Sequence, residues 1–448
     1  MPRSPFELPI RTLLGFALAL SALGASSCSR QLPTAVGTDS RATRLSSQIV
    51  RDDDYANQVV VALVAGADPS AIAVEYGATL LEFESDDLLA VYRPGAGQTP
   101  AALAALLALD ARVTTSEENG SIIPAETRQK SFAFDDGVGT LQTTVAQPAA
   151  EAIGLADAHR VSIGGGVRVA VLDTGIDPSH PMFAGRIVAS ADFLNPANTA
   201  ALDMADGVDN NANDAIDESF GHGTHVAGIV MLTAPDAQLL VARVLDADGR
   251  GDVLAVAAGI RWALRNGARV INLSLGTLKG SDAIQDALEE AENANVVVVA
   301  SAGNWGSDTP EEYPARSSHA LAVAATDVTG QPASFTSYGG FVALAAPGIA
   351  VRSAYPGSAY RLWSGTSMSA PFVAGTAALL VSLHPGWGSE EVMDRLALTA
   401  RPLRGLSVPQ REKMGDGMLD TRAALLVDQV AGPALARSAA PPGTRRSR

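Results

Sequence analysis

Short apolar segments alternate with amphipathic ones along most of the chain, from residue 58 to residue 428. In residues 58–120 the pattern predicts strand, helix, strand, strand, helix, strand, an order typical of a ferredoxin-like α+β sandwich. Asp68 and Pro69 mark the start of the first helix, because an aspartate caps free backbone N–H groups and a proline fits the first turn. The pattern therefore predicts a small α+β domain in front of a larger one.

In residues 148–428, short apolar runs rich in Val, Ile and Ala alternate with longer helical segments. The predicted strands are 167–172, 239–244, 270–275, 296–300, 320–325 and 341–346, and the predicted helices are 222–232, 253–266, 282–294 and 369–383. Most of these strands are apolar on both faces, as in a parallel sheet that helices cover on both sides. We therefore expect an α/β domain with a mainly parallel sheet flanked by helices. Ligand sites in such folds lie at the carboxyl ends of the strands.

The N-terminal segment, residues 1–27, has the pattern of a signal peptide: two arginines, a short apolar run and then small residues. The apolar run is too short to span a bilayer as a helix. Cys28, the only cysteine of the chain, follows directly, where a bacterial lipoprotein signal carries its lipidated cysteine. Ordinary cleavage after Ser27 is the alternative. We expect an exported protein that is secreted or lipid-anchored in the bacterial cell envelope.

Three segments lack hydrophobic periodicity. Residues 28–57 are predicted to be a polar linker, residues 121–147 a linker and maturation region, and residues 429–448 a disordered tail.

The composition excludes some classes of protein. The formal net charge is −16, which argues against nucleic-acid binding, since that needs a basic face. With one cysteine the chain cannot form an intramolecular disulfide, so stability must come from core packing or bound ions.

Two motifs supply a carboxylate and an imidazole. Residues 169–177 (VAVLDTGID) form a buried strand that ends in Asp173, and residues 221–228 (GHGTHVAG) place His222 at the start of a helix. A carboxylate can accept a hydrogen bond from an imidazole and fix its tautomer, and a histidine is the usual general base for a serine. His225 makes a metal-binding pair the alternative, although HxxH lacks the spacing and the glutamate of HExxH.

A third motif, residues 364–375 (SGTSMSAPFVAG), supplies a nucleophile, and the helix start predicted there favours Ser367. It is not G-x-S-x-G, because Ser369 stands where the second glycine would be, so the elbow of an α/β-hydrolase is not expected. A fourth motif, residues 296–304 (VVVVASAGN), ends in Asn304, whose side-chain amide could donate to a developing oxyanion alongside the N–H of Ser367.

The order Asp173, His222, Ser367, with Asn304 on a strand between the last two, resembles the subtilisin-like serine peptidases (subtilase, peptidase S8 family). Residues 58–120 resemble the I9-type inhibitor propeptide that precedes their catalytic domain. The resemblance implies a serine endopeptidase that works through an acyl-enzyme and is made as a self-processing precursor. It further implies polypeptide substrates, the chain's own propeptide as an intramolecular inhibitor, and a monomer.

The same resemblance implies two substrate-binding segments. They are Ser274, Leu275 and Gly276, and Ser301, Ala302 and Gly303. The first would pair with an extended peptide through main-chain hydrogen bonds. The second would line the first specificity pocket, and its small residues favour a large apolar side chain there.

Residues 206–217 (DGVDNNANDAID) are dense in oxygen ligands. The predicted calcium ligands are Asp209, Asn211, Asn213, the carbonyl of Ala215, and Asp217. An EF-hand does not fit, because the chain lacks the invariant glycine and the final glutamate of that loop. The segment resembles a calcium-binding insert before the histidine motif of many subtilisin-like enzymes, which implies a structural calcium ion. A solvated acidic loop is the alternative.

Three other interpretations of the whole chain remain open at this point. It could be an inactive homologue that acts as a binding protein, a serine-dependent esterase, or a peptidase whose propeptide stays attached as a lasting inhibitor.

Overall fold

The computed structural model describes residues 53–129, 131–406 and 412–430. The predicted signal peptide, Cys28, most of the polar linker and nearly all of the predicted tail lie outside the described residues.

The small domain has the predicted order of elements: β1 (Val59–Leu63), α1 (Pro69–Glu75), β2 (Thr79–Glu84), β3 (Leu89–Arg93), α2 (Pro100–Leu107) and β4 (Val113–Glu118). Its antiparallel sheet has the strand order β2-β3-β1-β4, as in a ferredoxin-like fold. Asp68 caps α1 as expected, since its Oδ1 accepts hydrogen bonds from the N–H groups of Ser70 (2.9 Å) and Ala71 (3.2 Å).

Short elements connect the two domains: β5 (Ser121–Ile122), α3 (Ala125–Gln129), α4 (Leu141–Val145), α5 (Pro148–Ala152) and α6 (Leu155–Ala158). The predicted linker region is therefore partly helical.

The strands of the large domain are β6 (Arg168–Asp173), β7 (Ile187–Asp192), β8 (Gln238–Arg243), β9 (Gly251–Asp252), β10 (Val270–Leu273), β11 (Val297–Ser301), β12 (Leu321–Thr326), β13 (Val342–Pro347), β14 (Val351–Tyr355) and β15 (Ala359–Trp363). Its helices are α7 (His222–Thr233), α8 (Val253–Arg265), α9 (Asp282–Asn293), α10 (Thr366–Leu383), α11 (Ser389–Thr399) and α12 (Thr421–Val430). Short 3₁₀ turns lie at Asp53–Asn57 and Pro181–Phe183. All six predicted strands are present, together with the four predicted helices.

The main sheet has seven strands in the order β13-β12-β11-β10-β6-β8-β7, and all of its paired strands are parallel. The central position of β6 in the sheet explains why residues 169–172 are all apolar. Val169 and Val171 belong to the core that contains α7 and α10, whereas Ala170 and Leu172 belong to the core that contains α8 and α9. Helices therefore cover both faces, as predicted.

Several elements of this domain were not predicted, including the short β9 and helix α11. Strand β7 lies at the edge of the sheet and mixes polar with apolar residues, so it lacks the continuous apolar run that marks the others. The hairpin of β14 and β15 is also absent from the prediction. Helix α10 is long and apolar enough to cross a membrane by length and composition, the only such helix among the described residues, but it is buried in the core.

The small domain packs its sheet against α8 and α9. Val60 and Val91 are buried in the same hydrophobic core as these helices. Polar contacts flank this interface: Glu117 binds the start of α9, and Asp87 forms an ion pair with Arg265 on α8. This docking places the chain that follows β4 against the carboxyl ends of the main strands.

Candidate active site

Asp173 and His222 meet at the carboxyl end of β6. Asp173 is the last residue of that strand, and its Oδ1 accepts a hydrogen bond from Nδ1 of His222 over 2.7 Å. Gly223 permits this approach, because a Cβ there would lie 2.2 Å from the carbonyl oxygen of Gly175. Both polar side chains are buried, so the carboxylate fixes the orientation of the imidazole.

Asp203 fastens the start of α7 and was not predicted. It accepts hydrogen bonds from the N–H of Gly221 (3.0 Å), from the N–H (3.1 Å) and hydroxyl (2.7 Å) of Thr224, and from the hydroxyl of Thr174 (3.2 Å). Burial raises the pKa of this carboxyl above its usual range, although these donors oppose the shift. Only an indirect signal in the sequence pointed to such a residue. Helix α7 starts in the core after a glycine, which has no side chain to cap the free N–H groups, so another residue had to accept their hydrogen bonds.

Ser367 is the second residue of α10 and is fully buried. Its hydroxyl lies 2.5 Å from Oε2 of Glu126 and 3.3 Å from the carbonyl oxygen of Ser274, and it donates its hydrogen at this position. Nε2 of His222 lies 3.4 Å from the same Oε2 and makes no hydrogen bond to the described residues. The Glu126 carboxylate therefore contacts both the serine hydroxyl and the imidazole.

Asn304 lies beside Ser367 with a fixed amide orientation. Its Oδ1 accepts hydrogen bonds from the N–H (3.0 Å) and hydroxyl (2.9 Å) of Thr366. Its Nδ2 therefore points outward and donates to Oε1 of Glu126 over 3.0 Å, and the N–H of Ser367 donates to the same oxygen over 3.2 Å. Two donors thus converge on one point next to the serine hydroxyl, as an oxyanion hole requires.

The charges around His222 favour its protonated form. Burial lowers the pKa of an imidazole, but Asp173 and Glu126 outweigh this effect and raise the pKa of His222 to about 10. His225 behaves in the opposite way, because burial lowers its pKa to about 3 and its Nε2 contacts the backbone oxygen of Arg361. The two histidines therefore face different partners, which does not favour the alternative of a metal-binding pair.

The first predicted substrate segment already pairs with a peptide, the chain's own. Ile123 forms two backbone hydrogen bonds with Gly276, of 3.0 and 2.9 Å. The two residues before it, which form β5, pair with β9. Ser274 lies close to Ser367, since its hydroxyl donates to the carbonyl oxygen of Ser367 over 3.0 Å. Leu275, which lies between Ser274 and Gly276 in the sequence, is buried.

A buried carboxylate that the prediction missed stands between the two predicted segments. A Cβ on Gly276 would lie 2.4 Å from Oε2 of Glu312, and a Cβ on Gly303 would lie 3.2 Å from the same oxygen. The other oxygen of Glu312 accepts a hydrogen bond from the indole of Trp305 over 2.6 Å. Ser301 and Ala302, the other residues expected at the first specificity pocket, are also buried. The predicted pocket therefore combines small residues with the carboxylate of Glu312.

The predicted calcium ligands are not assembled as one cluster. Asp217 accepts hydrogen bonds from the N–H groups of Asp206 and Gly207, and Asp209 accepts them from the next turn of the loop. The N–H of Ala215 donates to Oδ1 of Asn213 over 2.8 Å. Within the described ranges, no group of three or more His, Cys, Asp or Glu residues forms a metal-binding cluster.

Two buried acids beside this loop nevertheless fit a cation. The side-chain amides of Asn211 and Asn213 both donate to Oε1 of Glu218 over 2.6 Å. Oε2 of Glu218 and Oδ1 of Asp248 are buried without a hydrogen-bond partner among the described residues. Burial and the neighbouring Glu218 raise the pKa of Asp248 to about 7, although the N–H of Asn210 opposes the shift. Carboxylate and amide oxygens are the ligand types that calcium prefers.

Comparison with known proteins bears on the large domain. Residues 164–424, more than half of the chain, match the model of the subtilase family, Peptidase S8. Subtilisin BL of Lederbergia lenta is 39% identical over 275 residues, which cover 59% of this chain and 93% of that protein. Thermitase of Thermoactinomyces vulgaris is 43% identical over 232 residues, which cover 50% of this chain and 77% of that protein. The thermostable alkaline protease of Halalkalibacterium halodurans is 41% identical over 54% of this chain, but the match spans only 64% of that relative.

Solved structures agree with this assignment. A protease of Pseudoalteromonas arctica superposes with a TM-score of 0.56 at 31% identity, over 61% of this chain and 94% of that one. Fervidolysin of Fervidobacterium pennivorans, described as a keratinolytic enzyme related to subtilisin, superposes with a TM-score of 0.67, over 82% of this chain and 60% of that one. Its 24% identity makes this a likeness of fold alone. On the family match, the relatives and the subtilisin-like fold, the chain belongs to the subtilase family of serine endopeptidases.

Proposed function

We propose that this chain hydrolyses peptide bonds through Asp173, His222 and Ser367 and is made as a self-processing precursor. The observation that carries the proposal is the convergence of the Asn304 amide and the Ser367 N–H on one oxygen, 3.0 and 3.2 Å away, beside the Ser367 hydroxyl. A tetrahedral intermediate needs two donors at this position.

Each side chain has one task in this mechanism. Ser367 attacks the peptide carbonyl, and His222 takes the hydroxyl proton through Nε2 and then gives it to the leaving amine. Asp173 holds the opposite ring nitrogen at 2.7 Å and so presents Nε2 to the serine. Asn304 and the N–H of Ser367 stabilise the oxyanion, and water then releases the acyl-enzyme. His222 must be neutral for the first step, so the carboxylate of Glu126 has to leave before catalysis.

Peptide substrates would bind as extended strands on Ser274, Leu275 and Gly276. The pairing of Ile123 with Gly276 supports this, because it is an antiparallel main-chain contact of the expected kind. The small side chains of Ser301, Ala302 and Gly303 favour a large apolar side chain in the first pocket. Hydrolysis of a peptide panel tests this, and a preference for basic residues, which Glu312 would attract, would overturn it.

Self-processing and activity are tested together by the Ser367→Ala variant. We expect mass spectrometry to find a shortened wild-type protein and a full-length variant, and a fluorophosphonate reagent to label only the wild type. Ser369→Ala is the matched control, because its hydroxyl donates to the carbonyl oxygen of Ala346 and not to the site. A shortened Ser367→Ala protein would contradict self-processing. Absence of labelling in the wild type would favour an inactive homologue, and hydrolysis of esters without casein would favour an esterase.

A structural calcium ion is part of the proposal, with Asp248 and Glu218 as the buried acids. Asn211 and Asn213 would be amide ligands once their side chains rotate, because their amide nitrogens and not their oxygens face Glu218 here. When bound, the ion would neutralise the two facing carboxylates and stiffen the loop before α7. Asp209, Ala215 and Asp217, the other ligands expected from the sequence, remain candidates through backbone or rearranged side-chain oxygens.

Export completes the proposal, with secretion or a lipid on Cys28 as the two forms. The signal-peptide pattern of residues 1–27 supports export. Membrane fractionation of wild type and Cys28→Ser tests the anchor: loss of the protein from the membrane in the variant alone is expected if the cysteine is lipidated. We further propose that the enzyme works as a monomer.

A further inference from the structure

A side chain, and not a peptide carbonyl, occupies the oxyanion hole of this chain. Oε1 of Glu126 accepts the hydrogen bonds of Asn304 and of the Ser367 N–H, and Oε2 accepts that of the Ser367 hydroxyl. We infer that Glu126 is an intramolecular inhibitor, which keeps the uncleaved chain latent by imitating the oxyanion with its own carboxylate. The inference rests on the proposed function and adds the residue through which the active site is regulated.

The chain before Glu126 delivers it to the site as a bound strand. β5 pairs with β9, and Ile123 exchanges two hydrogen bonds with Gly276, so the segment is held by β9 and by the residues that follow β10. Ile122 is fully buried in the core that contains α8 and α9. This anchoring holds the backbone of Glu126 close enough to the site for its side chain to reach Ser367.

The chain after Glu126 is also held against the large domain. The hydroxyl of Ser131 donates to the carbonyl oxygen of Ser364 (2.8 Å), and the indole of Trp363 donates to the carbonyl oxygen of Ser131 (3.0 Å). The N–H of Ser131 binds the carbonyl oxygen of Glu126 over 3.0 Å, which turns that carbonyl into α3 and away from the hole. The uncleaved chain thus presents the carboxylate in place of the backbone carbonyl of this residue.

The site encloses the carboxylate closely. Glu126 is 1% exposed, and a Cβ on Gly365 would lie 1.7 Å from its Oε1. Gly365 has an extended backbone with a φ of 164°, which any residue adopts, so the space for Glu126 explains a glycine here better than backbone strain does.

The carboxylate disables both reacting groups. It takes the hydrogen of Ser367, which therefore does not point to His222, and it helps to raise the pKa of that imidazole. Burial would raise the pKa of Glu126, but His222, Ser367 and Asn304 together hold it below the usual range. Other charged or titratable groups facing this pair are Asp173, Asp203 and His225, of which His225 stays neutral because of its low pKa. At neutral pH the contact is therefore between a carboxylate and an imidazolium, and an imidazolium accepts no proton.

The test measures how fast a fluorophosphonate labels Ser367 in the full-length band of a denaturing gel. We expect full-length Glu126→Ala to label at least about tenfold faster than full-length wild type, since several hydrogen bonds to a charged group are lost. Glu126→Gln should fall between them, because it keeps an acceptor but loses the charge. Glu117→Gln is the matched control: it changes another glutamate of the same domain interface that lies outside the site, and it should label like the wild type.

A second variant keeps the test valid if Glu126→Ala does not fold. Glu126→Asp keeps the charge but is one methylene shorter, so its carboxylate cannot reach the Asn304 amide and the Ser367 N–H together, and its full-length band should also label faster. Equal labelling of full-length wild type, Glu126→Ala and Glu126→Asp, beside a reactive processed band, would overturn the inhibitory role alone. Absence of labelling in every band, processed ones included, would overturn the proposed function and the inference with it.

Discussion

Two of the buried carboxylates in this protein, Glu126 and Asp248, are stabilised in opposite ways. Glu126 is surrounded by hydrogen-bond donors and an imidazole, which hold its pKa below the usual range in spite of burial. Asp248 faces another acid, Glu218, and its pKa is raised to about 7. The first charge is satisfied by the chain itself, whereas the second pair needs a proton or a cation.

The difference shows which kind of charged group each region can bind. The partners of Glu126 are the groups that the proposed mechanism uses, so the site is complete only with an anion in it: the glutamate before processing and the oxyanion during catalysis. Glu218 and Asp248 have two buried oxygens without a partner among the described residues, so this region is complete only with a positive charge. One region thus selects anions and the other cations, although both contain carboxylates.

The largest expected effect comes from removing one of the hydrogen-bond donors around Glu126, the side-chain amide of Asn304. In the processed enzyme, Asn304→Ala should lower kcat by about 100- to 1,000-fold, the range known for loss of the equivalent kind of donor in a subtilisin. KM should change little, because the amide acts mainly in the transition state. Steady-state kinetics on a peptide substrate measure both constants. A fall in kcat/KM through KM alone would mean that Asn304 only binds the substrate.

The second effect tests the cation that the other region requires. Calcium at 100 times its Kd stabilises a protein by about 2.7 kcal/mol, so removing it with a chelator should lower the Tm by about 5–10 °C, and added calcium should restore it. Asp248→Asn should abolish this response. Asp214→Asn, an exposed acid of the same loop, should keep it. A chelator response that survives in Asp248→Asn would place the ion elsewhere.

The third effect uses pH to separate the carboxylate from the imidazole it faces. The pKa of His222 is raised to about 10 while Glu126 is bound, so the ion pair is intact at neutral pH and is lost as pH rises through that value. Labelling of the full-length wild type should therefore increase about tenfold or more between pH 7 and 10.

In Glu126→Ala the same rise should occur at lower pH, because only Asp173 then raises the pKa of His222. Both profiles are measured on the full-length band with the fluorophosphonate. Identical midpoints for wild type and Glu126→Ala would show that Glu126 does not influence the imidazole.

The sequence predicted which of the proposed catalytic residues would meet, because regular elements carry them. Asp173 ends a strand, Asn304 follows another, and Ser367 and His222 begin helices, so the backbone alone brings them to one edge of the sheet. Side-chain conformation adds little to this arrangement, and the motif letters were sufficient.

The acidic loop and Glu126 could not be predicted in the same way. In the loop, Asp209 and Asp217 bind nearby backbone N–H groups, a local choice that an alternating pattern does not reveal. Asp248 comes from a distant part of the chain. Glu126 lies in a segment without periodicity, and its hydrogen bonds to Ser367 join residues that are 241 positions apart. Long-range contacts of irregular segments therefore account for most of what was missed.

The smallest effect concerns a third carboxylate, which has donors but no counter-charge. Glu117 accepts hydrogen bonds from the hydroxyl of Ser281 (2.8 Å) and from two N–H groups at the start of α9, yet burial still raises its pKa. In the Ser367→Ala background, which keeps the chain uncleaved, Glu117→Gln should lower the free energy of unfolding by about 0.5–1.5 kcal/mol, because the amide nitrogen of Gln cannot accept the hydrogen bond that the N–H of Asp282 donates. Urea denaturation measures this change.

Glu118→Gln is the control, because Glu118 forms an ion pair with Lys279 in which both side chains are exposed (2.6 Å). Salt screens exposed pairs, so 1 M NaCl should remove the small effect of Glu118→Gln. The effect of Glu117→Gln should persist, since its hydrogen bonds to the start of α9 are partly buried and short-ranged. If salt removed both effects equally, Glu117 would act only as a surface charge, and donors without a counter-charge would not be enough to hold a carboxylate at this interface. The low pKa of Glu126, compared with the raised pKa of Asp248, would then be due to the neighbouring imidazolium alone and not to the hydrogen-bond donors.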